Sequence, residues 1–406
     1  MKQGKTVSVI GLGYIGLPTA AVLAANGYKV NGCDLNADIV KTVSAGDAHI
    51  DEPGLKECVS LAVQKGHLLA SVSLIAADVY LICVPTPVSK GDLEALPTPN
   101  ISHVESAARE IALCVKDGDL IILESTSPVG TTEQVENILI KEGIDTSDIY
   151  FAYCPERVIP GSTLVEIIEN PRVVGGLTDA ATEAAADFYS TFVTGDILKT
   201  NAKTAELCKL TENTFRDINI AFANELSLVC AKSEVNVWEL IDLANCHPRV
   251  NVLSPGTGVG GHCIAVDPWF LIASAPQNTV LAQAARSVND YKPAWVADQI
   301  ASEAAAMGTI DVACLGLSFK PNIDDFRDSP AITVVDHLLR RGFNVRCVEP
   351  NLNDHGRYDL ISLDQALIDF QVVAVLVAHD EFKAKFSGAA VHVERLLDFC
   401  GVTPAK

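Results

Sequence analysis

The chain has 406 residues, 49% of them hydrophobic, enough to fill the cores of two or three domains. Its formal charge of -21 argues against nonspecific attraction to nucleic acid or to the membrane surface, since both need a basic footprint. No run reaches the roughly 18 apolar residues of a membrane span. The twelve cysteines include no CxxC pair and no metal-ligand spacing, and they form no small disulfide framework, which predicts a reducing cytoplasm and no metal site.

The N-terminus has the basic start and apolar middle of a secretory signal, yet its glycines are regularly placed and a strand ending in an acid follows, so it reads as folded chain. "TVSVIG", "KVNGCD", "DVYLICVP", "DLIILES" and "IYFAYCPE" are short β-branched runs. Helix-patterned segments such as Thr19 to Asn26 and Ser102 to Cys114 separate them, and this alternation predicts a parallel sheet covered on both faces. From Asn201 the pattern becomes about 30 residues without proline or glycine, far beyond the usual helix length near 12. Such a helix can link domains or pair subunits. A second helical stretch runs from Thr279 to Met307, with Pro293 expected to mark a break or a first turn within it.

Alternation then returns, and with it an internal echo. "GYKVNGCDLN", Gly27 to Asn36, is similar to "GFNVRCVEPN", Gly342 to Asn351, and each follows a strand ending in Gly-Leu and then a helix. The expected fold is α/β, with two Rossmann-like doubly wound parallel-sheet domains flanking a central all-helical domain. The expected boundaries are 1–198, 199–305 and 306–406.

"VSVIGLGYIG" places Gly11, Gly13 and Gly16 in G-x-G-x-x-G register between a strand and a helix, with Asp34 18 residues after Gly16 at the end of the next strand. Gly11 allows the tight turn, Gly13 lets backbone approach a pyrophosphate, and Gly16 lets helix and strand pack closely. The phosphates meet the helix N-terminus. Asp34 binds ribose hydroxyls and repels a 2′-phosphate, so NAD is expected rather than NADP. Thr86 in "VPTP" and Thr126 in "ESTSPVGTT" follow strands, where open sheets place ligand loops; turn chemistry alone explains them equally well.

On the long helix Lys209, Asn213 and Arg216 fall at i, i+4 and i+7, on one face. A lysine and an asparagine one turn apart can hold a reacting hydroxyl and stabilise charge on its oxygen. That much also fits a two-electron hydroxyacid dehydrogenase. "PGTGVGGHCIAVDPW" separates the cases, because Cys263 sits in a glycine-rich loop while the other eleven cysteines lie in apolar surroundings. An enzyme that takes a primary alcohol to an acid must capture the aldehyde between two hydride transfers. A thiol does so as a thiohemiacetal, which is oxidised to a thioester and released by water. His262 beside it shapes the loop or the site. A nonenzymatic NAD-responsive scaffold is the remaining alternative, and Lys209 with Cys263 speaks against it.

Taken in order, "GLGYIGLP", "ESTSPVGTT", "AYCPERVIPG", "KLTENTFRDINIAFANEL", "HPRVNVLSPGTGVGGHCIAVDPWF" and "FKPNIDDFRDSP" resemble the UDP-glucose/GDP-mannose dehydrogenase family over nearly the whole chain. The resemblance implies an NAD-dependent four-electron oxidation of a UDP-sugar at C6, by a homodimer paired through its central helices. It makes the three domains NAD-binding, dimerising and UDP-sugar-binding. Cys263 becomes the nucleophile, Lys209 and Asp267 the groups for oxyanion and proton, Glu156 the base for thioester hydrolysis, and Asn213 and Thr126 further members of the catalytic set. Tyr14, Ile15, Pro85 and Arg327 join the cofactor contacts. Arg157, Val158, Arg216, Arg249, Gly260, His262, Phe319 and Lys320 join the substrate contacts.

The chain departs from the UDP-glucose branch at "PERVIPG" and at "GGHCIAVD", where Val266 replaces a lysine. Both changes resemble the branch acting on UDP-N-acetylhexosamines. "CIAVDPW" leans toward UDP-N-acetyl-D-mannosamine over UDP-N-acetylglucosamine, with a uronate product for bacterial surface polysaccharide.

Overall fold

The N-terminal alternation folds as a strand-helix series around one sheet. In the computed structural model, which describes residues 5–89, 96–261, 263–352, 355–387 and 393–403, it begins with β1 (Thr6–Ile10), α1 (Gly16–Ala25), β2 (Lys29–Cys33), α2 (Ala37–Ser44), α3 (Leu55–Gln64), β3 (Leu68–Ser71) and β4 (Val79–Ile82). A small hairpin, β5 (Val88–Ser89) and β6 (Thr98–Pro99), precedes α4 (Ser102–Ala112), β7 (Leu120–Leu123), α5 (Thr131–Lys141) and β8 (Tyr150–Tyr153). Then come α6 (Thr163–Glu169), β9 (Arg172–Gly176), α7 (Asp179–Tyr189) and β10 (Ile197–Asn201). The sheet order is β10-β9-β8-β7-β4-β1-β2-β3.

Period-two alternation explains why both faces are covered. Val7, Val9, Val79, Leu81, Leu120 and Ile122 face one apolar layer, in which α1 and α3 pack. Ile10, Tyr80, Ile82, Ile121 and Leu123 face the other, under α4 and α5. The doubly wound parallel expectation holds, with one departure: β8 and β9 pair antiparallel, so β9 and β10 run against the rest. The reversal belongs to the short α6 connection, which returns the chain without a full crossover.

The long helical stretch is one helix, α8 (Ala202–Lys232), followed by α9 (Val237–Asn245), α10 (Asp267–Ser274) and α11 (Val280–Ala306). Pro293 does not break α11 and does not start it; it lies well inside a continuous helix. The ring is buried, and a Cβ placed on Gly258 would come within 3.1 Å of its Cγ, so loop packing holds the helix across the missing N–H. The C-terminal alternation gives β11 (Asp311–Leu315), α12 (Pro330–Arg340), β12 (Asn344–Val348), α13 (Leu363–Asp369), β13 (Val372–Val375), α14 (Asp380–Ser387) and β14 (Arg395–Asp398). These strands form an all-parallel sheet of order β12-β11-β13-β14.

Two compact units result. One holds Met1–Thr211 with Trp269–Ser274, the other Glu212–Pro268 with Ala275–Lys406. None of the twelve cysteines is in a disulfide. Cys246, expected in apolar surroundings, is exposed like Cys263, because it caps the C-terminus of α9.

Candidate active site

In the first unit the turn between β1 and α1 is shaped by close backbone approach. Gly11 adopts φ +91°, and a Cβ there would stand 2.6 Å from the Cys83 carbonyl oxygen. A Cβ on Gly16 would fall 1.8 Å from the Gly11 oxygen, so the helix starts flush against the strand end. Gly13 is different: a Cβ there meets nothing within 4 Å. That open space beside the first turn of α1 is what a pyrophosphate needs, so the residues fit a dinucleotide. Tyr14 is exposed and Ile15 half-buried at the head of the helix.

Asp34 follows β2 and is tied to the turn. Its Oδ2 accepts from the Leu12 N–H at 2.9 Å and its Oδ1 from the Asn36 N–H at 2.9 Å. Each oxygen keeps a lone pair for a ribose diol. Thr86 donates through Oγ1 to the Thr126 carbonyl at 2.7 Å, which brings those two loops together, with Pro85 exposed beside them.

Two buried carboxylates that sequence reasoning missed brace these loops. Glu206 on α8 is fully buried and accepts from the Gly130 N–H at 2.6 Å and from the Thr132 N–H and hydroxyl at 2.8 and 2.7 Å. Burial pushes its carboxyl up, against those hydrogen bonds. Glu124 ends β7 and accepts from the Tyr189 hydroxyl at 2.6 Å and the Cys83 thiol at 3.2 Å. Glu156 is also buried, held by the Arg172 guanidinium at 2.8 Å and by the Arg157 N–H at 2.6 Å. Arg172, itself 1% exposed, was a third residue missed, since nothing local sets it apart from a surface arginine. Val158 packs against the first apolar layer. Lys209 is half-buried on α8.

In the second unit the structure brings Asn213, Asp267 and Cys263 together. The Asn213 Nδ2 donates to Asp267 Oδ2, both side chains being buried, and the Asp267 N–H donates to the Cys263 carbonyl at 2.8 Å. Cys263 is exposed in the turn leading into α10. The preceding glycines are needed for contact: a Cβ on Gly260 would lie 2.5 Å from the Asp328 carbonyl oxygen, and one on Gly261 2.7 Å from the Phe319 ring. This seats the cysteine loop on the Phe319–Asp328 loop, where Lys320 is exposed and Arg327 forks onto Asp325. Arg216 and Arg249 are exposed. Arg216 therefore does not share the burial of Asn213, being about 60° round the helix from it. His262 lies outside the described residues.

A glycine turn with its acid, a thiol loop with a buried carboxamide-carboxylate pair, and two α/β sheets define a nicotinamide-dependent oxidoreductase with a second nucleotide-type domain. Profiles of the UDP-glucose/GDP-mannose dehydrogenase family match in series, the NAD binding domain at residues 5–193, the central domain at 203–291 and the UDP binding domain at 313–403. The UDP-N-acetyl-D-mannosamine dehydrogenase of Salmonella typhi is 49% identical over 98% of this chain and 99% of its own. An NDP-N-acetyl-D-galactosaminuronic acid dehydrogenase of Ralstonia nicotianae is 47% identical over 99% and 97%. The solved UDP-D-ManNAc dehydrogenase of Pyrococcus horikoshii superposes with a TM-score of 0.89 at 36% identity, covering 99% of this chain and 96% of that one. The chain belongs to the UDP-glucose/GDP-mannose dehydrogenase family, and it is an NAD-dependent oxidoreductase acting on a UDP-sugar. Among the described residues no helix is long and apolar enough to cross a membrane.

Proposed function

We propose that this enzyme oxidises UDP-N-acetyl-D-mannosamine at C6 to UDP-N-acetyl-D-mannosaminuronate in two two-electron steps, with Cys263 as nucleophile. The observation that carries this reading is an exposed thiol whose own carbonyl anchors Asp267, which in turn is fixed by Asn213. Gly11, Gly13, Gly16 and Asp34, with Thr86 and Thr126 nearby, would hold NAD, which would supply the hydride acceptor for each oxidation. The first step removes a hydride from C6 and a proton from its hydroxyl, leaving an aldehyde. The Cys263 thiolate adds to that carbon, and loss of a second hydride from the thiohemiacetal gives a thioester. Water then attacks the acyl carbon, releasing the acid and returning the thiol.

By likeness to the family, Lys209 and Asp267 stabilise the oxyanions and move the proton, and Glu156 activates the hydrolytic water. Arg172 keeps the Glu156 carboxylate oriented for that task. Lys320, Phe319 and Gly260, with Arg249, are assigned to the UDP-sugar, and Arg327 to a cofactor phosphate. Cys263→Ser lacks the acyl carrier, so about 10³-fold or more of the NADH-forming rate should be lost, with no uronate detected by mass spectrometry. Wild type should form two NADH per sugar; one NADH would return the reading to a two-electron dehydrogenase. The Ralstonia relative favours comparing other UDP-2-acetamido sugars in the same assay.

Phe215, Phe222 and Val229, 65%, 54% and 55% exposed at heptad spacing on α8, support a homodimer paired along this helix. Phe222→Glu should yield a monomer by light scattering; an unchanged dimer would move the interface elsewhere. The product is an activated uronic acid, which suits donation to a surface polysaccharide, and twelve cysteines without a disulfide suit a cytoplasmic enzyme.

A further inference from the structure

Within the second unit a cavity of about 270 Å³ opens between α8, α11 and the chain around β14. Its lining includes the aromatic residues Trp238, Trp295 and Phe399, the polar Ser227 and Lys292, and Pro255. Lys292 is 2% exposed. Its Nζ donates to the Ser227 hydroxyl and lies 4.3 Å from the Trp295 ring centroid. Among the described residues it has no carboxylate partner. The two acids of the lining are committed elsewhere: Glu303 holds Arg395 through both oxygens at 2.7 Å, and Asp398 accepts the N–H groups of Cys400, Gly401 and Thr403. Burial pushes the amine down to about 8, so it is still mostly protonated at neutral pH. An ammonium without an anion, set among aromatic walls, matches an organic anion with a flat apolar body.

The floor of this cavity is wired to the cysteine loop. The Ser227 hydroxyl donates to the Asn224 carbonyl at 2.6 Å, and the Asn224 Oδ1 accepts the Gly256 N–H at 2.9 Å. Asn224 continues through Asn289 to the buried Asp217–Arg286 pair. Pro255 and Gly256 begin the segment that ends at Cys263, and Gly258 abuts Pro293, the neighbour of Lys292. We propose that this cavity is a regulatory site for a small aromatic monocarboxylate, bound by Lys292, whose occupancy repositions the Gly256–Cys263 segment.

The test uses the full chain and 1-naphthoate as probe, with neutral 1-naphthamide as control, in titration calorimetry. Saturable naphthoate binding is expected, weakened about tenfold or more by Lys292→Met, which keeps the volume without the charge, and by the amide. Trp238→Ala should weaken it without touching the amine. Affinity should fall as pH rises past about 8, where Lys292 loses its proton. The other titratable groups that face it are Cys230 from α8 and Cys400 beside β14, both thiols pushed up by burial and so neutral there, together with the carboxyls of Glu303 and Asp398. Saturation should also change the rate of iodoacetamide labelling at Cys263, read by peptide mass spectrometry, by about fivefold in wild type and not in Lys292→Met. This readout follows thiol exposure and is independent of the catalytic role given to Cys263. Equal affinity in Lys292→Met and wild type, a flat pH profile, absence of saturable binding, or a labelling rate indifferent to saturation would each overturn the proposal.

Discussion

In the first unit Gly11, at φ +91°, donates its N–H to the Cys33 carbonyl at 2.8 Å; in the second, Gly316, at φ +94°, donates to the Val348 carbonyl at the same distance. After each comes an acid that reaches back: Asp34 to the Leu12 N–H at 2.9 Å, Glu349 to the Leu317 N–H at 2.7 Å. Each also accepts from the residue two on, Asn36 or Asn351. The turns part company in what fills them. The first leaves open space over Gly13 and keeps Asp34 half-exposed. The second puts Ser318 where Gly13 stands, buries Glu349, and sets His379 3.3 Å from its carboxylate. One strand-turn-acid unit thus serves as a dinucleotide cradle when glycines keep it empty, and as a rigid base for the Phe319–Lys320 loop when side chains close it.

The largest effect that would break this contrast belongs to Gly16→Ala. A methyl 1.8 Å from the Gly11 oxygen cannot be accommodated without moving α1 off β1. We expect a loss of about 3 kcal/mol or more by urea unfolding. Gly13→Ala is the matched control: with nothing within 4 Å it should change stability by less than about 0.5 kcal/mol, yet weaken NADH binding by filling the space over the turn. If both variants lose equal stability, the emptiness at Gly13 has no functional meaning. Next comes Asp34→Ala, which removes the acceptor from a half-exposed position and should weaken NAD about tenfold to a hundredfold by fluorescence titration. An unchanged Kd would leave Asp34 as a turn brace and nothing more.

These two turns also mark what could be read before folding. Gly11, Gly13, Gly16 and Asp34 were legible because a turn, a close approach and a ribose contact each demand one residue type at a fixed offset. The echo "GFNVRCVEPN" was legible for the same reason, and its Glu349 does occupy the place of Asp34. The strands β3, β9 and β10 were not: each is at or near a sheet edge, and "RVVGG" and "ILKTN" carry little alternation. Strand direction leaves no periodic trace, so the reversal at β9 could not be foreseen. Glu206 and Arg172 escaped for another reason. Their partners Gly130, Thr132 and Glu156 meet them only through tertiary packing, 16 to 76 positions away in sequence. Cys263 and Asp267 stood out by loop composition, whereas the fixing of Asp267 by Asn213, 54 positions earlier, needed the fold.

The smallest effect tests the closed turn. Burial pushes the Glu349 carboxyl up, but hydrogen bonds from His379 and the Leu317 N–H outweigh it, leaving its pKa below the ordinary 4.5. A carboxylate with a depressed folded pKa stabilises the protein fully above its unfolded value and loses that contribution as pH falls through the folded one. Glu349→Gln keeps the shape and one acceptor while deleting the charge, so it should cost about 1–2 kcal/mol near neutral pH. That gap between variant and wild type should be constant above about pH 5 and shrink below it, read from urea midpoints at each pH. NAD affinity should not change, because Glu349 belongs to the turn that holds no dinucleotide. A pH-independent gap would mean that the acid contributes by packing alone, and a weakened NAD Kd would mean that the closed turn supports the open one.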